Sequence, residues 1–164
     1  MNDCIQPLVR PVVAGDLPVM LALNNAYARE LSQLDAASLQ QMVARSFRSL
    51  CVGAADAFLV AFDETSDYGS QNFAWFKSQY DRFVYIDRVA VGAMSRGQGI
   101  ARLLYEDLFL EAAGAGHVVV GCEVNIHPPN PISDLFHTAM GFTEVGQGDF
   151  PEQNKRVRYL VHRL

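Results

Sequence analysis

Cysteine is scarce in this sequence: there are three, Cys4, Cys51 and Cys122. They stand far apart and form neither a paired framework nor a Cys-x-x-Cys metal or redox motif, which excludes a disulfide-built scaffold. A reduced cytoplasmic setting suits them, and Cys122, inside an apolar run, is expected to be buried. Blocks of lysine and arginine are missing too. With a formal net charge of −5, nucleic-acid binding has no support. No apolar run reaches membrane-spanning length. Residues 1–7 have neither a positively charged start nor a continuous apolar core, so neither a membrane contact nor a secretory signal is expected. Internal repeats and low-complexity segments are also absent.

What the chain does have is apolar residue. Half of its 164 residues are hydrophobic and 19% are charged, enough for one folded domain over 1–164 with a substantial core. Residues 5–13 are β-branched and bounded by prolines, a first strand near a sheet edge. Asp16 is placed to cap a helix from Leu17, with Pro18 tolerated in its first turn. A second helix is expected over 36–47, with Leu39, Met42, Val43 and Phe47 on one side. Strands over 50–53 and 57–62 lead into an unusually long connection, 63–82, rich in aromatics. It reads as a partly helical excursion around 72–80 that covers part of a site, or equally as a satellite core or subunit contact.

The organising stretch is 83–102, FVYIDRVAVGAMSRGQGIAR. A strand over 83–91 enters a glycine-bearing turn and then a helix, which presents unpaired backbone N–H groups to an anion. Arg88, Arg96 and Arg102 flank this turn and add positive charge. A Walker-type loop needs lysine after its second glycine, and here Gly97 is followed by Gln98. A dinucleotide fingerprint needs a third small residue where Arg102 stands. Leu103, Leu104, Leu108 and Ala112 continue the helix, and Gly114 and Gly116 end it. A strand over 117–124, a short helix over 130–139 and strands over 142–145 and 156–161 complete the order.

The turn Arg96-Gly97-Gln98-Gly99-Ile100-Ala101 resembles the Arg/Gln-x-x-Gly-x-Gly/Ala motif of the GNAT N-acetyltransferases. The run from Asn130 to Gly141-Phe142 is similar to that family's Asn-x-x-Ala-x-x-Leu-Tyr-x-x-x-Gly-Phe signature, at the same interval. Arg10-Pro11 and Asp16-Leu17 resemble its first strand and helix. The resemblance implies an α/β fold with a mixed, centrally splayed β-sheet flanked by helices. It further implies an acetyl-CoA-dependent N-acetyltransferase working by direct transfer in a ternary complex.

By the same resemblance, Arg96, Gly97, Gln98, Gly99, Ile100 and Ala101 hold the pyrophosphate of acetyl-CoA. Val89, Ala90 and Val91 face Cys122 to Asn125 across the splay, and Asn130 hydrogen-bonds the pantetheine arm. Glu123 is the first choice for the base that takes the amine proton. Asp87 is the second, because strand alternation places it on one face with Tyr85 and Val89. The tyrosine that protonates the departing thiolate in the family is replaced by His137. Histidine either donates that proton or only hydrogen-bonds the sulfur while solvent supplies it, or the site binds an acyl-CoA without efficient transfer. Asn24, Asn25, Tyr27 and Glu30 border the acceptor, a small amine, an amino-acid-like molecule or a peptide amino terminus. Transfer of another acyl group and a non-catalytic acyl-CoA sensor remain as alternatives, and a homodimer is plausible.

Overall fold

A computed structural model describes residues 8–164. Cys4, positions 5–7 of the expected first strand and the stretch read for a secretory signal lie outside the described residues. Seven strands form one mixed sheet: β1 Val9–Pro11, β2 Arg48–Val52, β3 Ala57–Asp63, β4 Val84–Val91, β5 Val119–His127, β6 Thr143–Phe150 and β7 Lys155–Arg163. Their spatial order is β1-β2-β3-β4-β5-β7-β6. Only β4 and β5 pair in parallel; the other neighbours are antiparallel. The helices are α1 Leu17–Ala26, α2 Ala28–Leu31, α3 Ala36–Arg45, α4 Gln71–Gln79, α5 Ile100–Gly114 and α6 Pro131–Ala139. None among the described residues is long and apolar enough to cross a membrane.

Two apolar cores lie on opposite faces of the sheet. One packs Leu104, Leu108 and Ala112 of α5, with Met140 and Phe142, on Leu59, Val84, Ile86 and Val120. The other packs Met20 of α1, Leu39 and Met42 of α3 and Phe73 and Phe76 of α4 on Phe58, Val60, Phe62 and Tyr85. Each fully buried phenylalanine contributes ~1.5–3 kcal/mol. The alternation along β3 therefore serves both layers, which is why that strand is apolar throughout.

Several local expectations change. Asp16 does not cap α1, which starts without a side-chain cap. Its carboxylate folds back onto the guanidinium of Arg10 through two hydrogen bonds of 2.8 Å and accepts from Val13 N at 2.8 Å. A bidentate charged pair outcompetes a helix N–H, and Arg10 holds the Asp16 carboxyl well below the usual carboxylate range. Helix α3 stops before Phe47, which packs against the α5 core rather than with Leu39 and Met42. The last two strands run longer than expected, because the polar residues of β6 alternate along an exposed edge strand.

The bulge in β4 matters most. Val60 pairs with Arg88 and Ala61 with Ile86, so Asp87 has no partner on β3. An extra residue reverses the facing of everything after it. Tyr85 lies in the α4 core, whereas Val89 packs against the α5 core. The expected common face of Tyr85, Asp87 and Val89 is broken at that point.

The 63–82 connection forms α4, and α4 packs tightly because two strand residues lack side chains. A Cβ on Gly121 would come within 2.3 Å of the Phe76 ring, and one on Gly146 within 2.5 Å of Trp75. Trp75 stacks on Tyr159 with ring centroids 4.0 Å apart. The segment is part of one of the two main cores and not a satellite of it, and its amino-terminal end also reaches the site described next.

Candidate functional site

Strands β4 and β5 pair only at Val84 with Val120 and Tyr85 with Gly121. Both strands continue, to Val91 and His127, without a ladder between them. The facing edges separate there and open a cleft of about 700 Å³. Val89, Ala90 and Val91 form one wall, and Cys122 to Asn125 the other. The first turn of α5 closes one end and Ile132, Phe136 and His137 of α6 line the side.

At the α5 end, Gly97 and Gly99 have φ of 74° and 76°. That left-handed conformation favours glycine and turns the chain directly into the helix, with Gly99 as its N-cap. The N–H groups of Gly97, Gln98 and Gly99 meet no acceptor among the described residues. They join the orphan N–H groups of the first helical turn, at the positive end of a 15-residue helix. This loop has the donors and the field an anion needs.

The arginines around it divide. Arg96 bonds the Val91 carbonyl at 3.3 Å and lies 4.5 Å over the Tyr27 ring. Arg102 pairs with Glu106 at 3.6 Å. Arg88 is not a phosphate group at all: it is 7% exposed, with Nε on Asp87 at 2.8 Å and Nη1 on Asn24 at 2.7 Å. Gln98 turns back to the Met94 carbonyl at 2.9 Å and does not line the cleft, while Ile100 and Ala101 do.

Glu123 stands on the β5 wall, only partly exposed. It accepts hydrogen bonds from Tyr85 Oη at 2.8 Å and Asn72 Nδ2 at 3.0 Å. Burial, reinforced by the charge of Asp87, pushes its carboxyl up to about 7. Half of the population is then ionised near neutral pH, the condition for a general base. Asp87 is committed elsewhere, to Tyr68 Oη at 2.6 Å and Arg88 Nε at 2.8 Å.

His137 is buried on α6, at the side of the cleft. Its Nδ1 lies 2.8 Å from the Ser133 carbonyl, and its Nε2 lies 3.0 Å from the Tyr105 hydroxyl. A carbonyl only accepts, so Nδ1 carries the hydrogen and Nε2 accepts from Tyr105. Burial lowers the His137 pKa further, so the neutral ring has no hydrogen facing the cleft. Tyr105 also lines the cleft. The apolar stripe of Leu103, Leu104, Leu108 and Ala112 passes it over; the one signal for it is that a buried phenol needs a partner.

Asn130 caps α6 by accepting from Ser133 N at 3.2 Å and also lines the cleft. Tyr27 and Glu30 line it too, but Asn25 does not: it clamps the chain at Leu34, donating to the carbonyl at 2.9 Å and accepting from the N–H at 3.0 Å. Asn24 is fully buried, bonded to Ser32 O and Arg88. Beside the cleft lies a smaller polar recess of about 220 Å³. Tyr68, Asn72, Tyr85, Arg88 and Lys155 line it; of these the sequence singles out only Arg88, and for the anion turn rather than for this recess.

Residues 28–142 match the acetyltransferase (GNAT) family, whereas no curated protein matches the chain. Among solved structures, a ribosomal-protein-alanine N-acetyltransferase from Brucella melitensis is similar with a TM-score of 0.71 and 21% identity, over 96% of this chain and 99% of that one. Arabidopsis thaliana NAA60 in complex with acetyl-CoA gives 0.72 and 18%, over 96% and 99%. A phosphinothricin acetyltransferase from Sinorhizobium meliloti, in complex with acetyl-CoA, gives 0.71 and 15%, over 96% and 88%.

Proposed function

The chain belongs to the GNAT acetyltransferase family, and from that premise we propose that it moves an acetyl group from acetyl-CoA to the primary amine of a small acceptor, by direct transfer in a ternary complex within one domain. The observation that carries the reading is a single cleft joining an anion-binding helix start to a carboxylate that titrates near neutrality. Each residue set fits its part. The N–H groups from Gly97 to the first turn of α5 suit a pyrophosphate. The unpaired edge at Val89, Ala90 and Val91 offers backbone groups to an extended amide-bearing arm and to the thioester carbonyl, with Asn130 at the same side.

Glu123 takes one proton from the bound ammonium and passes it to solvent. The neutral amine attacks the carbonyl carbon, the C–S bond breaks, and the nitrogen's second proton ends on the thiolate. Overall, ammonium and thioester give amide, thiol and one released proton. His137 does not donate directly, since its Nε2 accepts. Tyr105, which lines the cleft, protonates the departing sulfur by swinging its one hydroxyl hydrogen away from His137 Nε2, the acceptor that holds it beforehand. Neither cysteine among the described residues serves as an acyl carrier: Cys51 and Cys122 are buried, and burial pushes the Cys122 thiol well up.

A second reading, an acyl-CoA-binding protein without transfer, takes support from the engagement of both His137 ring nitrogens. One experiment separates the two. Calorimetric titration with acetyl-CoA, against an Arg96→Glu, Gly99→Glu variant, tests the cofactor site; thiol release with an amine panel then tests transfer. Binding without release over solvent background supports the binder, and no binding sinks both.

A further inference from the structure

Resting on the acetyl-transfer reading, we infer that the recess beside the cleft is the acceptor site and that it selects a compact primary amine carrying a carboxylate, such as a free amino acid. The recess and the cleft share six lining residues: Glu30, Leu31, Asp87, Arg88, Glu123 and Lys155. Glu123 therefore stands where the two cavities meet, reachable from both sides. A volume of about 220 Å³ corresponds to roughly seven water-sized groups at about 30 Å³ each. That suits a molecule of amino-acid size.

The charges in the recess are arranged for both ends of such a molecule. Asp87 is neutralised by Arg88 and held by Tyr68, so it is not a free ammonium partner. Glu123 receives only the neutral donors Tyr85 and Asn72 and is the acid left for the amine. Glu30 adds a second negative charge at the exposed rim.

On the cationic side, the Arg88 guanidinium is held rigid. Nε is on Asp87, Nη1 is on the fully buried Asn24, and Nη2 has no hydrogen-bond partner among the described residues. Lys155, at the start of β7, makes no ion pair among the described residues. Arg88 and Lys155 both line the recess, and a carboxylate bound in it gains charge-assisted hydrogen bonds from them. The neutral amide that follows the amine in a peptide offers Arg88 and Lys155 only a weaker acceptor.

The test uses the intact protein and three compounds of one shape: phenylalanine, phenylalaninamide and phenethylamine, with a panel of the other amino acids and their amides and a tripeptide. The expected result is that the best free amino acid exceeds its amide in kcat/KM by about 10- to 100-fold, the range of one hydrogen bond to a charged group. Lys155→Gln, a substitution at a partly exposed position, lowers that ratio by raising KM for the acid more than for the amide. Arg88→Lys lowers it further if folded, and Lys155→Gln carries the test if it is not. Amides or the tripeptide used as well as the free acids, by a protein that binds acetyl-CoA, overturn the proposal and leave the acetyl-transfer reading intact. Absence of acetyl-CoA binding in the same preparation overturns both.

Discussion

Asn72 at the start of α4 donates a hydrogen bond of 3.0 Å to Glu123 on β5, across 51 positions of sequence. The same Asn72 accepts from Tyr159 Oη at 3.0 Å, so the carboxylate is fixed by a helix that is itself anchored to β7. Its proton affinity, and with it the pH dependence of the reaction, is a property of this packing.

Replacing Tyr85 by Phe removes the hydrogen bond that stabilises the Glu123 carboxylate and leaves its burial in place. The acidic limb of kcat/KM against pH, expected near 7 in the unchanged protein, moves up by about one unit. A profile that does not move shows that another group sets the limb.

For Glu123→Gln, activity falls by about 10²–10³-fold at neutral pH while the affinity for acetyl-CoA, measured by calorimetry, holds. Stability changes with a definite sign. The folded carboxyl holds its proton up to about 7 against an ordinary 4.5. Its favourable contribution is thus complete below the ordinary value and is lost as pH rises through about 7. The glutamine variant has no such slope, so its Tm relative to the parent rises between pH 4 and pH 8, by a free energy on the order of 1–3 kcal/mol.

Tyr105→Phe leaves the buried Nε2 of His137 without its donor, at a cost of about 1–3 kcal/mol in stability. The kinetic effect falls on kcat and not on KM for the amine. If His137→Phe lowers kcat as much while Tyr105→Phe leaves it unchanged, histidine acts directly and the assignment to Tyr105 is wrong.

Gly121→Ala places a methyl group against Phe76, whose ring would lie 2.3 Å from the added Cβ. Overpacking costs about 1–3 kcal/mol, read from chemical denaturation. Because the displaced helix carries Asn72, the pH profile shifts as well. Gly15→Ala, where a Cβ meets nothing within 4 Å, leaves that profile unchanged.

Much of the site was legible because its signals are local. A strand, a turn with glycines at two left-handed positions and a helix follow one another within about twenty residues, and the anion site needs no other element. Glu123 was singled out by the resemblance to the family; the apolar strand that carries it says only where in the sheet it sits. Asn25 misled because a short polar residue at the end of a helix reads the same whether it faces a ligand or clamps the neighbouring loop. Arg88 misled because closeness in sequence to the glycine turn does not say which face of the strand it takes.

By itself, the sequence determined the order of strands and helices, the glycine turn into α5 and the resemblance to the family, all encoded in spacings of a few residues. Only the tertiary structure decided that the β4 ladder breaks at Asp87, that β4 and β5 part after Tyr85 and Gly121, that Arg88 turns into a polar recess and that Tyr105 faces His137. Each of these depends on a partner dozens of positions away, whose distance and facing are set when the two cores close on the sheet.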